Sequence, residues 1–212
     1  MLIAFNKPYG IVSQFTDSGT RWGTLRQFGF PRGVYGMGRL DAETEGLLLL
    51  SDEGPLSFQL LNPKHGHRRR YWAHVEGIPT PEAMATLVDG VTIGEYRTQP
   101  CKAWLLDPQP EVPPRDPPIR ERKSVPDCWI ALELIEGKNH QVRRMTAVVG
   151  FPTLRLIRVQ IGDFELGSLP SGQWRELSVA DRKLAFAGAT SPPAPPKRAI
   201  ARKRQSGQSR PR

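Results

Sequence analysis

Seven prolines crowd residues 107–126: Pro108, Pro110, Pro113, Pro114, Pro117, Pro118 and Pro126. No other feature limits the fold as strongly. Proline lacks a backbone N–H and has a fixed φ, so this stretch belongs in neither a helix interior nor a central strand. It reads as a long loop between two halves of one folded unit. A second run, Ser191-Pro192-Pro193-Ala194-Pro195-Pro196, reads as a stiff extended spacer. After it, seven basic residues and no acid lie between Lys197 and Arg212. The chain is therefore expected to fold over residues 1–180. Residues 181–212 are expected to form a Pro-rich, basic, disordered tail that buries nothing.

The length of 212 residues suits one domain or two small ones and is enough for a real core. Two cysteines, Cys101 and Cys128, make no disulfide framework and no C-x-x-C zinc spacing. They point to a reduced, cytoplasmic setting. The longest apolar runs, Met1–Phe5 and Cys128–Leu132, are too short to span a bilayer, and the start lacks the pattern of a signal peptide. No membrane partner is expected. The net charge is +9, much of it in the tail. A basic arm without acids reads as a sequence-blind tether to phosphates, or as a solubilising appendage.

Periodicity sketches the folded part. Leu2–Asn6 and Leu47–Ser51 predict strands, and Val34–Leu40 an extended piece. From Tyr71 to Gly77 apolar and polar residues alternate, with Tyr71, Ala73 and Val75 on one face. Trp129–Ile135 and Leu154–Ile161 predict two more strands. Pro55 opens a helix running to Leu61. Thr80 starts another, whose Met84, Leu87 and Val88 share a face. Asn139 is the expected cap of a third, with Val142, Met145 and Val149 inward. Strands and helices mix without a regular βαβ rhythm, so the expected class is α+β.

Three segments carry candidate chemistry. In Gly38-Arg39-Leu40-Asp41-Ala42-Glu43-Thr44-Glu45-Gly46, an arginine precedes an aspartate at the edge of a buried strand. Such a carboxylate needs a nearby cation or donors to stay ionised. The same residues also suit a capped turn with a structural ion pair. No histidine cluster accompanies them to make a metal site. In His65-Gly66-His67-Arg68-Arg69-Arg70-Tyr71 a basic run enters a strand, a mixture suited to RNA phosphates and an unstacked base. Taken alone, the segment is better explained as a solvated turn beside a core tyrosine. In the third segment no acid occurs between Gly137 and Gly162, while Lys138, Arg143, Arg144, Arg155 and Arg158 do. That imbalance reads as a nucleic-acid surface or as a solvated face.

Taken together, the three segments resemble the RNA pseudouridine synthases of the RsuA/RluB/RluE/RluF family. The resemblance runs from Gly38-Arg39-Leu40-Asp41 through Arg69-Arg70-Tyr71 and Glu136-Gly137-Lys138-Asn139-His140-Gln141-Val142-Arg143-Arg144-Met145. It continues to Gly172-Gln173-Trp174-Arg175-Glu176-Leu177. It covers about Leu2 to Ser178, and the ordered series is far more specific than any one motif. Asn6-Lys7-Pro8-Tyr9-Gly10 begins almost at residue 1, so no separate N-terminal RNA-binding domain is expected. The loop run Pro117-Pro118-Ile119-Arg120-Glu121-Arg122-Lys123-Ser124 is similar to the RluE type, which modifies large-subunit ribosomal RNA. Arg69 departs from the lysine common in relatives, and the basic tail is extra.

The resemblance implies a pseudouridine synthase catalytic fold: a central, largely antiparallel mixed sheet with flanking helices and a cleft across its middle. It implies isomerisation of uridine without cofactor or metal. Asp41 matches the essential aspartate, either attacking C1′ or acting as a base at the 2′ position. Tyr71 matches the tyrosine that stacks on the flipped base. Arg143 matches the arginine that pairs with the aspartate. Leu156, or Leu154 on the same strand face, lines the uracil pocket. Arg39, Lys7, Arg70, Lys138, Arg144, Arg155 and Arg158 are expected to hold substrate. The expected partner is ribosomal RNA, with the large subunit favoured, and the chain is expected to be a monomer. Two other readings stay open: a non-catalytic rRNA-binding or ribosome-assembly protein, or the same enzyme acting on 16S rRNA or tRNA.

Overall fold

A computed structural model describes residues 1–17, 19, 21–62, 66–119 and 124–187. The strands are β1 Leu2–Lys7, β2 Ile11–Val12, β3 Gly23–Thr24, β4 Tyr35–Gly36, β5 Thr44–Ser51, β6 Arg69–Glu76, β7 Thr92–Ile93, β8 Tyr96–Arg97, β9 Lys102–Leu105, β10 Asp127–Leu134, β11 Thr153–Ile161, β12 Phe164–Glu165 and β13 Trp174–Glu176. The helices are α1 Gly54–Leu61, α2 Pro81–Asp89, α3 Gln141–Val148 and α4 Val179–Ala185. One sheet dominates, in the order β13-β1-β5-β11-β6-β10-β9, with β4 added to β5 and β12 to β11. Its single parallel pair is β5–β11; the other pairs are antiparallel. This is the mixed, largely antiparallel α+β arrangement that the sequence implies.

The leucine run explains the centre. Every residue of β5 is buried, as a strand covered on both faces requires. Its side chains alternate between two cores. Leu47 and Leu49 pack with Leu60 of α1 and Ala185 of α4, while Leu48 and Leu50 pack with Phe5, Ile11 and Leu25. Each buried leucine contributes roughly 1.5–3 kcal/mol. A third core joins Ala73 and Val75 of β6 to Leu87 of α2 and Met145 of α3. Gly46 permits the parallel contact, because with φ at +99° a Cβ there would lie 2.3 Å from the Arg158 carbonyl oxygen.

Several expectations change. Of Val34–Leu40 only Tyr35–Gly36 forms a strand, β4, extended against β5 by one further bond from the Met37 N–H to the Leu49 carbonyl at 2.8 Å. The cap of α3 is His140 in a left-handed conformation, not Asn139. Val88 of α2 is exposed rather than part of the buried face. The Pro-rich segment lies between β9 and β10, which are adjacent antiparallel strands. Its described part reaches β11, where the Pro113 carbonyl accepts from Arg155, and Tyr9, over whose ring Arg115 lies. Residues 181–185 belong to the fold, not the tail. Ser178 and Asp181 form a reciprocal capping box for α4, whose Ala185 is fully buried. The tail run Ser191–Arg212, His65 and the subgroup-like residues Arg120–Lys123 lie outside the described residues.

Candidate active site

Across the middle of the sheet runs a cleft of about 720 Å3. Its floor is set by strand register. Leu156 of β11 pairs with Thr44 of β5 and with Ala73 of β6, and Arg158 pairs with Tyr71. Alternation then puts Thr44, Leu156, Arg158, Tyr71 and Arg69 on the wall they share. The loop before β5 brings Asp41 to the rim, where its carbonyl closes a turn by accepting from the Thr44 N–H at 3.0 Å. The loop before α3 supplies Lys138, Asn139 and His140 opposite.

The Asp41 side chain is 36% exposed, and His140 Nδ1 lies 3.5 Å from its Oδ2. Arg143 does not make the expected ion pair with it. Its Nη2 donates to the Glu43 carbonyl at 2.9 Å and its Nη1 to the Thr153 carbonyl at 3.2 Å. From α3 the guanidinium therefore braces the backbone of the turn that carries Asp41, tying it to the start of β11. Burial lowers the Arg143 pKa, and the Glu43 and Asp41 carboxylates raise it. Arginine stays charged under such a shift, so Arg143 still acts on Asp41 through its field.

On the inner wall, Arg158 is 4% exposed. Its Nε donates to the Leu47 carbonyl at 2.7 Å, and its Nη2 is buried without a partner. Arg69 donates to the Leu60 carbonyl at 3.2 Å. Burial lowers the Arg69 pKa, the Tyr71 phenol raises it and Arg158 lowers it again. Among the described residues neither guanidinium has a carboxylate partner. The Thr44 hydroxyl, also on this wall, is buried and unpartnered. Two desolvated cations side by side, with spare donors, favour an anionic ligand.

Four expected substrate contacts lie away from the cleft. Lys7 is fully buried, with Nζ donating to the carbonyls of Ile11 at 2.6 Å, Pro8 at 3.0 Å and Ala42 at 3.5 Å. Its role is to fasten β1 to the Asp41 turn. Arg70 points to the other side of β6 and pairs with Glu133 at 2.8 Å. Arg144 is exposed on α3 and does not line the cleft. Arg155 is buried in a two-bond pair with Glu45, both bonds 2.8 Å, and donates to the Pro113 carbonyl at 2.7 Å. Arg39 and Lys138 line the cleft mouth and are exposed.

Three residues here, Glu136, Tyr96 and His140, have structural roles that the sequence motifs do not assign. Glu136 accepts from the Gln99 N–H at 2.9 Å and from the side chains of Tyr96 and Gln141, joining the β7–β8 hairpin to the loop before α3. Burial and Glu136 push the Tyr96 phenol up to about 12, so it remains a donor. His140 carries the one positive φ of a non-glycine residue among the described residues. A left-handed conformation costs such a residue on the order of 1–2 kcal/mol, and a sequence motif does not show it.

A carboxylate, an aromatic ring, an apolar wall and donors suited to an anion thus share one cleft. The chain is also similar to known proteins over most of its length. A family model described as RNA pseudouridylate synthase matches residues 1–148. The chain is 51% identical over 176 residues to the ribosomal large subunit pseudouridine synthase E of Xanthomonas campestris pv. campestris, covering 82% of this chain and 94% of that one. It is 44% identical to the protein so named from Vibrio parahaemolyticus, covering 84% and 74%. A solved structure described as a pseudouridylate synthase superposes with a TM-score of 0.71 at 29% identity, over 87% of this chain and 73% of that one.

Proposed function

The chain belongs to the RNA pseudouridylate synthase family, and we propose that it isomerises uridine to pseudouridine in ribosomal RNA of the large subunit. The observation that carries this reading is that Asp41 and Tyr71 face the same cleft. The relatives at 44–52% identity named large subunit pseudouridine synthase E support the choice of RNA.

The chemistry breaks the N1–C1′ bond, turns the uracil and joins C5 to C1′. The C5 proton leaves and N1 gains one, so nothing is added or lost. Unstacking the uridine costs a few kcal/mol. Stacking on the Tyr71 ring, worth about 1–3 kcal/mol per base, offsets this. Leu156, almost fully buried beside it, keeps water from the base. Asp41 is the carboxylate at the sugar, acting either as nucleophile on C1′ or as base at the 2′ carbon. Released from C1′, the uracil carries negative charge, which the overall positive field of the cleft favours while it turns. Arg69 and Arg158 hold a phosphate next to the reacting nucleotide, and Arg39 and Lys138 guide the strand at the mouth.

Residues 1–187 form the catalytic unit in this reading, and the basic tail adds non-specific affinity for RNA. The protein works as a cytoplasmic monomer. No helix among the described residues is long and apolar enough to cross a membrane.

Carbodiimide treatment and primer extension test the assignment on large- and small-subunit rRNA incubated with the protein. New pseudouridine stops are expected in the large-subunit RNA. Stops confined to the small-subunit RNA would overturn the choice of substrate, and stops in neither would overturn the activity.

A further inference from the structure

His140 holds a left-handed backbone, φ 51°, at the N-terminus of α3, where no side chain caps the helix. Glycine or asparagine occupies that conformation more easily. The surrounding loop is braced: the Gln141 side chain accepts from the Lys138 N–H at 2.9 Å and donates to Glu136. The left-handed turn breaks the helical path just before Gln141 and brings the imidazole to Asp41, Nδ1 to Oδ2 at 3.5 Å. Among the described residues no other side chain makes an ion pair or hydrogen bond with that carboxylate, since Arg143 is held by two backbone carbonyls. Backbone strain that delivers a side chain to a reacting group is strain with a use.

We propose that His140 is a positioning residue for Asp41. Its Nδ1–H holds one carboxylate oxygen and leaves the other directed at the sugar of the bound uridine. At 3.5 Å the two atoms are within ion-pair distance without a formed hydrogen bond, so the pair has to close when substrate binds. This inference rests on Asp41 being the reacting carboxylate.

Three variants separate side chain from backbone. His140→Gly relaxes the φ and removes the donor. His140→Ala removes the donor and keeps the strain. His140→Asn suits the left-handed conformation and keeps an N–H at similar reach. Single-turnover pseudouridine formation, RNA affinity and Tm are measured for each with the full chain. Gly and Ala are expected to lose about 10- to 100-fold in rate, the scale of a misplaced catalytic group, with affinity unchanged. Tm is expected to be unchanged in Ala and equal to or above wild type in Gly, where the strain is relaxed. Asn is expected to recover most of the rate. A Gly variant as fast as wild type, an Asn variant as slow as Gly, or a rate loss that merely follows affinity or Tm would overturn the proposal. Asp41→Asn runs alongside. Full activity in that variant would instead overturn the reading of Asp41 beneath it.

Discussion

Tyr71 and Arg158 stand opposite each other across the antiparallel β6–β11 ladder, so the ring assigned to the base and the most buried cation of the cleft share one wall. Arg158 has Nε fixed on the Leu47 carbonyl and Nη2 unpartnered. Arg158→Gln keeps a donor for Leu47 but removes the charge. RNA affinity should fall about 10- to 100-fold, the value of a charge-assisted bond. The salt dependence of log Kd should lose roughly 0.7–0.9 in slope, one phosphate contact. Fluorescence titrations from low to high salt check both.

The pair Arg155–Glu45 joins β11 to the start of β5 in the buried interior, 110 residues apart in sequence. Arg155→Met strands a buried carboxylate and the Pro113 carbonyl. It should cost about 3–5 kcal/mol in denaturant unfolding. Adding Glu45→Gln removes the stranded charge and should recover a substantial part, so the two changes are non-additive.

Burial is the main cause that pushes the Lys7 amine from its ordinary 10.5 down to about 7. Between those values the unfolded chain binds more protons than the folded one, so this group makes stability rise with pH. Below about pH 7 both states are protonated and the burial penalty is present in full. Against Lys7→Met, the wild type should therefore gain relative stability from pH 7 toward 10, by at most about 1.4 kcal/mol per pH unit. Unfolding titrations at several pH values measure it. Lys7→Met should also slow turnover, because Nζ contacts the Ala42 carbonyl next to Asp41.

Removing residues 188–212 takes away seven basic residues and none of the residues that line the cleft. RNA affinity should weaken for cognate and unrelated RNAs alike, with the single-turnover rate at saturation unchanged. Normal affinity of the shortened chain at physiological salt would contradict the tether.

Local chemistry made much of this legible in the sequence. Alternation in Tyr71-Trp72-Ala73-His74-Val75 shows β6, the run Leu47–Leu50 shows β5, and Thr80-Pro81 shows the start of α2. Short strands with few buried residues, such as β13, leave no such pattern and exist through their partner, here β1. Individual basic residues are harder. A surplus of arginine says that some face an anion, but register decides which, and the difference between Arg69 and Arg70 is one step of a strand. Glu45 held an unread signal: a carboxylate ahead of four leucines needs a buried cation even more than Asp41 does, and Arg155 supplies it. The left-handed φ of His140 follows from the loop as a whole.

Tritium release from RNA labelled at uridine C5 tests the central claim most directly, because that hydrogen must leave when C5 bonds to C1′. Wild type and Asp41→Asn are run on a large-subunit rRNA fragment covering the peptidyl-transferase region, with small-subunit rRNA as control. The account predicts release by wild type on the large-subunit RNA alone, and loss of about 10⁴-fold or more in Asp41→Asn. Equal release by the two proteins, or none from either RNA by a wild type that binds both, would contradict it.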